Sequence, residues 1–175
     1  MVTSRSMATI VPKQDQFYDF GRQIFKTYGL TLERVGRMRL VLVAAAALID
    51  GNGAVLLAQR PEGKSLAGLW EFPGGKIEAG ERPESALCRE LFEELGVDVA
   101  PADLEPLGFA SHTYENFHLL MPLWTTRTWQ GQPRGREGQA LAWVQPEALQ
   151  DYPMPAADLP LIPVLSSHLF QSQNA

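Results

Sequence analysis

The stretch Gly75-Lys76-Ile77-Glu78-Ala79-Gly80-Glu81-Arg82-Pro83-Glu84-Ser85-Ala86-Leu87-Cys88-Arg89-Glu90-Leu91-Phe92-Glu93-Glu94-Leu95-Gly96-Val97 decides how this chain is read. Pro83 suits the first helical turn and Gly96 the position just past the last, so the spacing predicts a helix from about Pro83 to Leu95. At about 100° per residue, Leu87, Cys88, Leu91 and Leu95 share one arc and are expected to pack on a sheet. Glu90, Glu93 and Glu94 fill the adjoining arc. Carboxylates that close repel by a few tenths of a kcal/mol per exposed pair. A hard divalent cation with oxygen ligands would turn that repulsion into binding. Taken alone, three glutamates also describe a solvated acidic helix face, because Glu is a good helix former. Arg89 falls on another side, within reach of the preceding loop or of a neighbouring acid.

Upstream lie Glu71-Phe72-Pro73-Gly74-Gly75-Lys76, then Glu78 and Glu81, so seven of the chain's 20 acidic residues fall between Glu71 and Glu94. Solubility alone does not call for that concentration. The whole chain of 175 residues carries a net charge of -5, with no run of Lys or Arg forming a basic stripe. A nucleic acid polymer is therefore not the expected partner. A single small anionic molecule is, since a metal can supply local positive charge. One cysteine, Cys88, permits no intramolecular disulfide and fits a reducing cytoplasm. The longest apolar stretch, Leu40 to Ile49, is too short to span a bilayer, and the first residues show no signal pattern.

Residues 1–37 read as an N-terminal extension, either a flexible arm or an accessory helix over Phe17–Tyr28, ahead of a domain spanning 38–175. Arg39–Ile49 reads as a buried strand, Asp50-Gly51-Asn52-Gly53 as a turn, and Val55–Gln59 as the return strand of a hairpin. Arg60–Gly75 is expected to be mostly loop. Leu107–Tyr114 and Leu119–Thr128 read as strands, Trp129–Gln139 as a loop, and Ala140–Val144 as a last strand. A short helix near Pro146–Leu149 and a terminal helix over Asp158–Phe170, capped by Asp158, complete a mixed α/β domain.

Gly75, five residues, Glu81, seven residues, then Arg89-Glu90-Leu91-x-Glu93-Glu94-x-Gly96-Val97 matches the Nudix box at nine specified positions over 23 residues. The segment resembles a Nudix hydrolase. The resemblance implies a mixed sheet sandwiched between helices, with the box as loop-helix-loop. It also implies hydrolysis of a nucleoside diphosphate linked to another group, with Mg2+ or Mn2+ as cofactor. In that pattern Glu90 and Glu94 ligate the metal with Glu93 close by, and the Gly74 carbonyl is a further ligand. Arg89 would orient a carboxylate and Glu81 would support the metal network.

From about Val41 to the terminal helix the chain is similar to the MutT-like branch, which splits nucleoside triphosphates into monophosphate and pyrophosphate. Arg60 falls where that branch places an Arg near the triphosphate. Glu71, Phe72, Pro73 and Gly74 match the loop that contacts base and metal. Glu137 falls where another metal-linked acid stands, which leaves Glu90 and Glu137 as rival general bases. Asp158 matches the position that reads the purine, but MutT has Asn there. Ser65 stands where MutT has a His near the substrate. An ionised Asp only accepts hydrogen bonds, so Asp158 suits the N7–H of 8-oxo-dGTP or the amine of a cytosine nucleotide. The expected function is therefore 8-oxo-dGTP diphosphatase, with a CTP or modified pyrimidine triphosphate pyrophosphohydrolase as the alternative. A non-catalytic nucleotide-binding sensor is the alternative from another class. The expected assembly is a monomer or weak homodimer.

Four other features have bland readings. Ala58-x4-Gly63-Lys64-Ser65 meets a relaxed P-loop pattern, but Pro61 and Glu62 lie inside it and no helix is expected after Ser65. His112, His118 and His168 lack metal spacing, although His112 and His118 could approach a base pocket. Cys88 reads as core. Trp70 and Trp143 read as core or base-stacking residues, with Phe72 the preferred stacking candidate by resemblance.

Overall fold

The computed structural model describes residues 38–173, and the expected extension over residues 1–37 lies outside them. Strand β1 (Arg39–Leu48) leads through a turn into β2 (Val55–Gln59). The short strands β3 (Trp70–Glu71) and β4 (Gly74–Lys76) follow, then helix α1 (Pro83–Leu95). Strands β5 (Glu105–Thr113), β6 (Phe117–Thr126) and β7 (Ala140–Val144) precede helix α2 (Leu161–Gln173). The architecture is mixed α/β, as expected, with β1 and β6 parallel and the other pairs antiparallel.

The sheet is split, which the sequence did not suggest. One sheet runs β4-β1-β6-β5 and the other β3-β2-β7. The expected β1–β2 hairpin is therefore a correction. Asp50 Oδ1 accepts from the amides of Asn52 and Ala54, so the chain does turn here. Only the bridge Ile49↔Val55 joins the arms before β2 leaves to pair with β7 and β3. Pairing with β7 over five residues, Val55↔Val144 to Gln59↔Ala140, offers β2 a longer ladder than β1 does.

Two cores result from the period-2 alternation of the strands. Ala44, Ala46, Leu48 and Leu56 pack under Leu87, Leu91 and Leu95 of α1. Ala45, Ala47, Val55 and Leu57 pack on the other side with Leu161, Leu165 and Leu169 of α2. Burying each α1 leucine contributes roughly 1.5–3 kcal/mol. Pro83 occupies the first turn of α1, and Gly96, at φ 72°, closes it by donating to the Phe92 carbonyl. Cys88 is half-buried against the α1 core. The terminal helix starts later than expected, at Leu161, and Asp158 does not cap it with its side chain. Its backbone carbonyl accepts from Leu161, while its carboxylate turns inward. Among the described residues no helix is long and apolar enough to cross a membrane.

Candidate active site

Arg89 organises the acids of α1. Its Nε and Nη2 donate to the two Glu81 carboxylate oxygens, both at 3.0 Å. Nη1 donates to Glu90 at 2.8 Å and to Glu93 at 3.2 Å, and Nη2 also reaches the Lys76 carbonyl at 3.2 Å. The fork thus ties the helix to the loop before it, a geometry that Lys could not reproduce. The bond from Arg89 holds the Glu81 carboxyl below its usual range.

The Glu90 carboxylate lies against Gly75, where any Cβ would collide with it. Gly74, at φ 147°, faces the backbone of Ala44, where a side chain would meet the Ala44 carbonyl oxygen. The two glycines therefore let β4 pass between β1 and the acids of α1, a close approach that needs residues without a Cβ.

The 129–139 loop is held over the C-terminal end of α1 by carbonyls of its last turn. The amides of Arg134 and Arg136 donate to Leu95 and Glu94, and Arg136 Nη1 donates to Phe92 at 2.9 Å. Gln139 clamps both sides: its Nε2 donates to the Glu94 carbonyl at 3.1 Å and its Oε1 accepts from the Glu137 amide at 2.7 Å. Glu137 is delivered in this way to a cavity of about 540 Å3.

That cavity gathers Arg60, Ser65, Glu71, Phe72, Gly74, Glu94, Glu137 and Asp158 from the expected set. Arg60 is fixed by Nη1 donating to Glu71 and Nε to the Ser65 carbonyl, both at 2.6 Å. Phe72 is buried, and its amide donates to Asp158 Oδ1 at 3.3 Å. Asp158 itself is 4% exposed. Glu81, Arg89, Glu90, Glu93 and Pro73 do not line the cavity: Glu90 stands behind Gly75, and the Pro73 carbonyl accepts from Ala46 in the β1–β4 seam.

Sequence reasoning missed the wall formed by the ends of β5 and β6. Tyr114 and Phe117 stack there, with centroids 4.7 Å apart, and both line the cavity. Lys64 also lines the cavity and forms an ion pair with Glu137. Strand register brings Tyr114 in, and local spacing gives no signal of it. Trp70 packs edge-on against Tyr152 and Trp143 stacks on Trp129, so neither joins the cavity lining. His118 bonds Ser111 and Thr113, and His112 packs on Tyr114.

A family model described as NUDIX domain matches residues 44–163. The chain belongs to the Nudix family. Among curated relatives, the CTP pyrophosphohydrolase of Escherichia coli (strain K12) is 41% identical over 127 residues, covering 71% of this chain and 90% of the relative. The 8-oxo-dGTP diphosphatase of Haemophilus influenzae is 39% identical over 131 residues, with 71% and 90% covered. Among solved structures, the solution structure of the E. coli ORF135 protein has a TM-score of 0.65 at 35% identity, covering 81% of this chain and 95% of that one. A MutT of the Aliivibrio salmonicida and Vibrio cholerae pair has a TM-score of 0.62 at 33% identity, covering 74% and 99%. These likenesses bear out the fold and the family expected from the box.

The Nudix helix places Glu94 where ionisation is costly. Burial pushes Glu94 up to about 7, and the charges of Glu71, Glu90 and Glu137 add to the rise. Burial likewise raises Glu71 against the opposing pull of Arg60. It pushes Asp158 up to about 7, with the charge of Glu71 adding and the Phe72 amide opposing. Among the described residues no three metal-ligating side chains are already drawn together on one point, since Arg89 holds Glu90 and Glu93 while Lys64 holds Glu137. The donor set nevertheless fits a hard divalent cation: every donor is oxygen, and their mutual repulsion falls on the buried Glu94.

Proposed function

We propose that this Nudix protein hydrolyses nucleoside triphosphates to monophosphate and pyrophosphate, with 8-oxo-dGTP as its substrate and the cleansing of the nucleotide pool as its role. The observation that carries the reading is the junction at Gly75. There the acids of the Nudix helix meet a cavity whose lining combines Glu94 and Glu137 with Phe72, Tyr114 and Phe117. The acids suit a phosphate chain with its counter-cation, and the aromatic side chains suit a base.

The Gly74 carbonyl, Glu90, Glu93, Glu94 and Glu137 would hold Mg2+, or Mn2+ in its place. Such an ion, when bound, neutralises phosphate oxygens and lowers the pKa of a bound water. The chain's own residues do the rest. Arg89 holds Glu90 in one orientation and takes up the charge of Glu81 and Glu93. Glu90 and Glu137 are the candidates to accept a proton from the attacking water, each held beside the cavity by a cationic partner. Arg60, locked by Glu71 and the Ser65 carbonyl, presents a fixed cation to the phosphate chain. Asp158 lines the same cavity, and its carboxylate can accept from a purine N7–H.

One observation favours a second reading. The same carboxylate can accept from the amine of cytosine, and a relative at 41% identity is named CTP pyrophosphohydrolase. A panel of normal and oxidised nucleoside triphosphates with Mg2+ separates the two. Turnover is expected to be highest with 8-oxo-dGTP. CTP turned over far faster would replace the substrate assignment, and no turnover of any triphosphate would end the enzymatic one.

A further inference from the structure

Four cations line the cavity: Arg39, Arg60, Lys64 and Lys76. They face four acids, Glu71, Glu94, Glu137 and Asp158. A triphosphate adds several negative charges to that balance, which favours a cation that can turn from a carboxylate to a phosphate. Arg60 is committed twice, to Glu71 and to the Ser65 carbonyl, with its side chain 27% exposed. Arg39 and Lys76 stand on the β1–β4 wall. Lys64 differs. Its ammonium crosses the cavity mouth to Glu137 on the 129–139 loop, and the two side chains are 50% and 42% exposed. An ion pair so open to water contributes little stability and exchanges readily.

The position of Lys64 is nevertheless well defined. The Lys64 amide donates to Pro61 at 3.3 Å, and the Gly68 amide returns to the Arg60 carbonyl at 2.9 Å, closing the 60–68 loop on itself. Arg60 braces the same loop through Ser65. The Gly63-Lys64-Ser65 triplet that mimics a P-loop is followed by turns and not by a helix, so its amides form no P-loop cradle. What remains is a lysine, a point charge on a flexible stem, at the rim of a cavity of about 540 Å3.

We infer that Lys64 is a substrate-binding residue that exchanges Glu137 for the outer phosphates of the nucleotide, so that triphosphate binding itself releases Glu137 into the site. The inference rests on the triphosphate reading above. In the free protein Lys64 neutralises Glu137, and the exchange keeps one ion pair while substituting a phosphate for the carboxylate. A monophosphate, lacking the outer phosphates, does not reach Lys64 and does not trigger the exchange.

Calorimetry on the full chain with Mg2+ tests this, using a non-hydrolysable triphosphate analogue and the matching nucleoside monophosphate. Turnover of the natural triphosphate by the wild type is measured first, so that failure of the parent reading shows separately. With wild-type turnover present, Lys64→Gln is expected to weaken the triphosphate analogue roughly tenfold, as for loss of one charge-assisted hydrogen bond. Its affinity for the monophosphate should stay within about twofold, and Lys64→Arg should stay near the wild type for both. A purely structural lysine that ties the two loops together would affect both ligands alike. Equal weakening of the two ligands, or triphosphate affinity unchanged in Lys64→Gln, overturns the inference.

Discussion

Glu94 and Asp158 are pushed toward neutrality by the same cause, burial, yet they sit at opposite ends of the cavity's chemistry. For Glu94 the neighbouring carboxylates add to the rise, so its ionisation is a standing cost of the metal-free protein. The sign follows from the proton balance. A folded-state value of about 7, raised from 4.5, means that the native state binds the proton more tightly. Its contribution to stability is then complete below about pH 4.5 and is lost as the pH rises through about 7. Glu94→Gln is expected to stabilise the metal-free protein at pH 8 by about 1–3 kcal/mol and to change little at pH 4. Urea unfolding at the two pH values measures this, and equal shifts at both would contradict it. At the other end, Asp158→Asn supplies a donor beside the acceptor, so the ranking of substrates should change more than the overall rate. Steady-state rates across the nucleotide panel check it, and a uniform loss on every nucleotide would remove Asp158 from base reading. The acids of the helix were legible because their spacing is local. Tyr114 and Lys64 were not, because a β-strand register and a loop closure bring them to the cavity.

At the scale of elements, α1 was legible from end to end, since Pro83, the leucine arc and Gly96 all act within the helix itself. The strands β3 and β4 were not. Two and three residues long, they exist because β2 and β1 offer them partners, and no local pattern announces that. The misread hairpin has the same origin: the turn at Asp50 is local, whereas the preference of β2 for β7 is not. The capping role expected of Asp158 failed because a burial site and a backbone donor at Phe72 outcompete a helix end that starts three residues later. The β1–β4 seam also carries a prediction. Gly74→Ala would place a Cβ against the Ala44 carbonyl at a φ of 147°, so it should cost more than about 1 kcal/mol of stability. Thermal unfolding would show it, and an unchanged Tm would mean that the seam tolerates a side chain.

At the scale of the molecule, the described domain divides its labour between two sheets and two cores. Leucines under α1 fix the acids, while the apolar lining of the cavity, Phe72, Tyr114, Phe117, Leu119 and Met121 among it, belongs to the core that α2 closes. The family was legible because nine positions of one box survive any rearrangement around them. The split of the sheet was not, since buried strands of either sheet show the same apolar run. The central claim concerns which bond the assembled site breaks. Phosphorus NMR of the products from a single nucleoside triphosphate, with Mg2+, reads this directly. Monophosphate and pyrophosphate in equal amounts are the predicted products, and nucleoside diphosphate with inorganic phosphate would contradict the account.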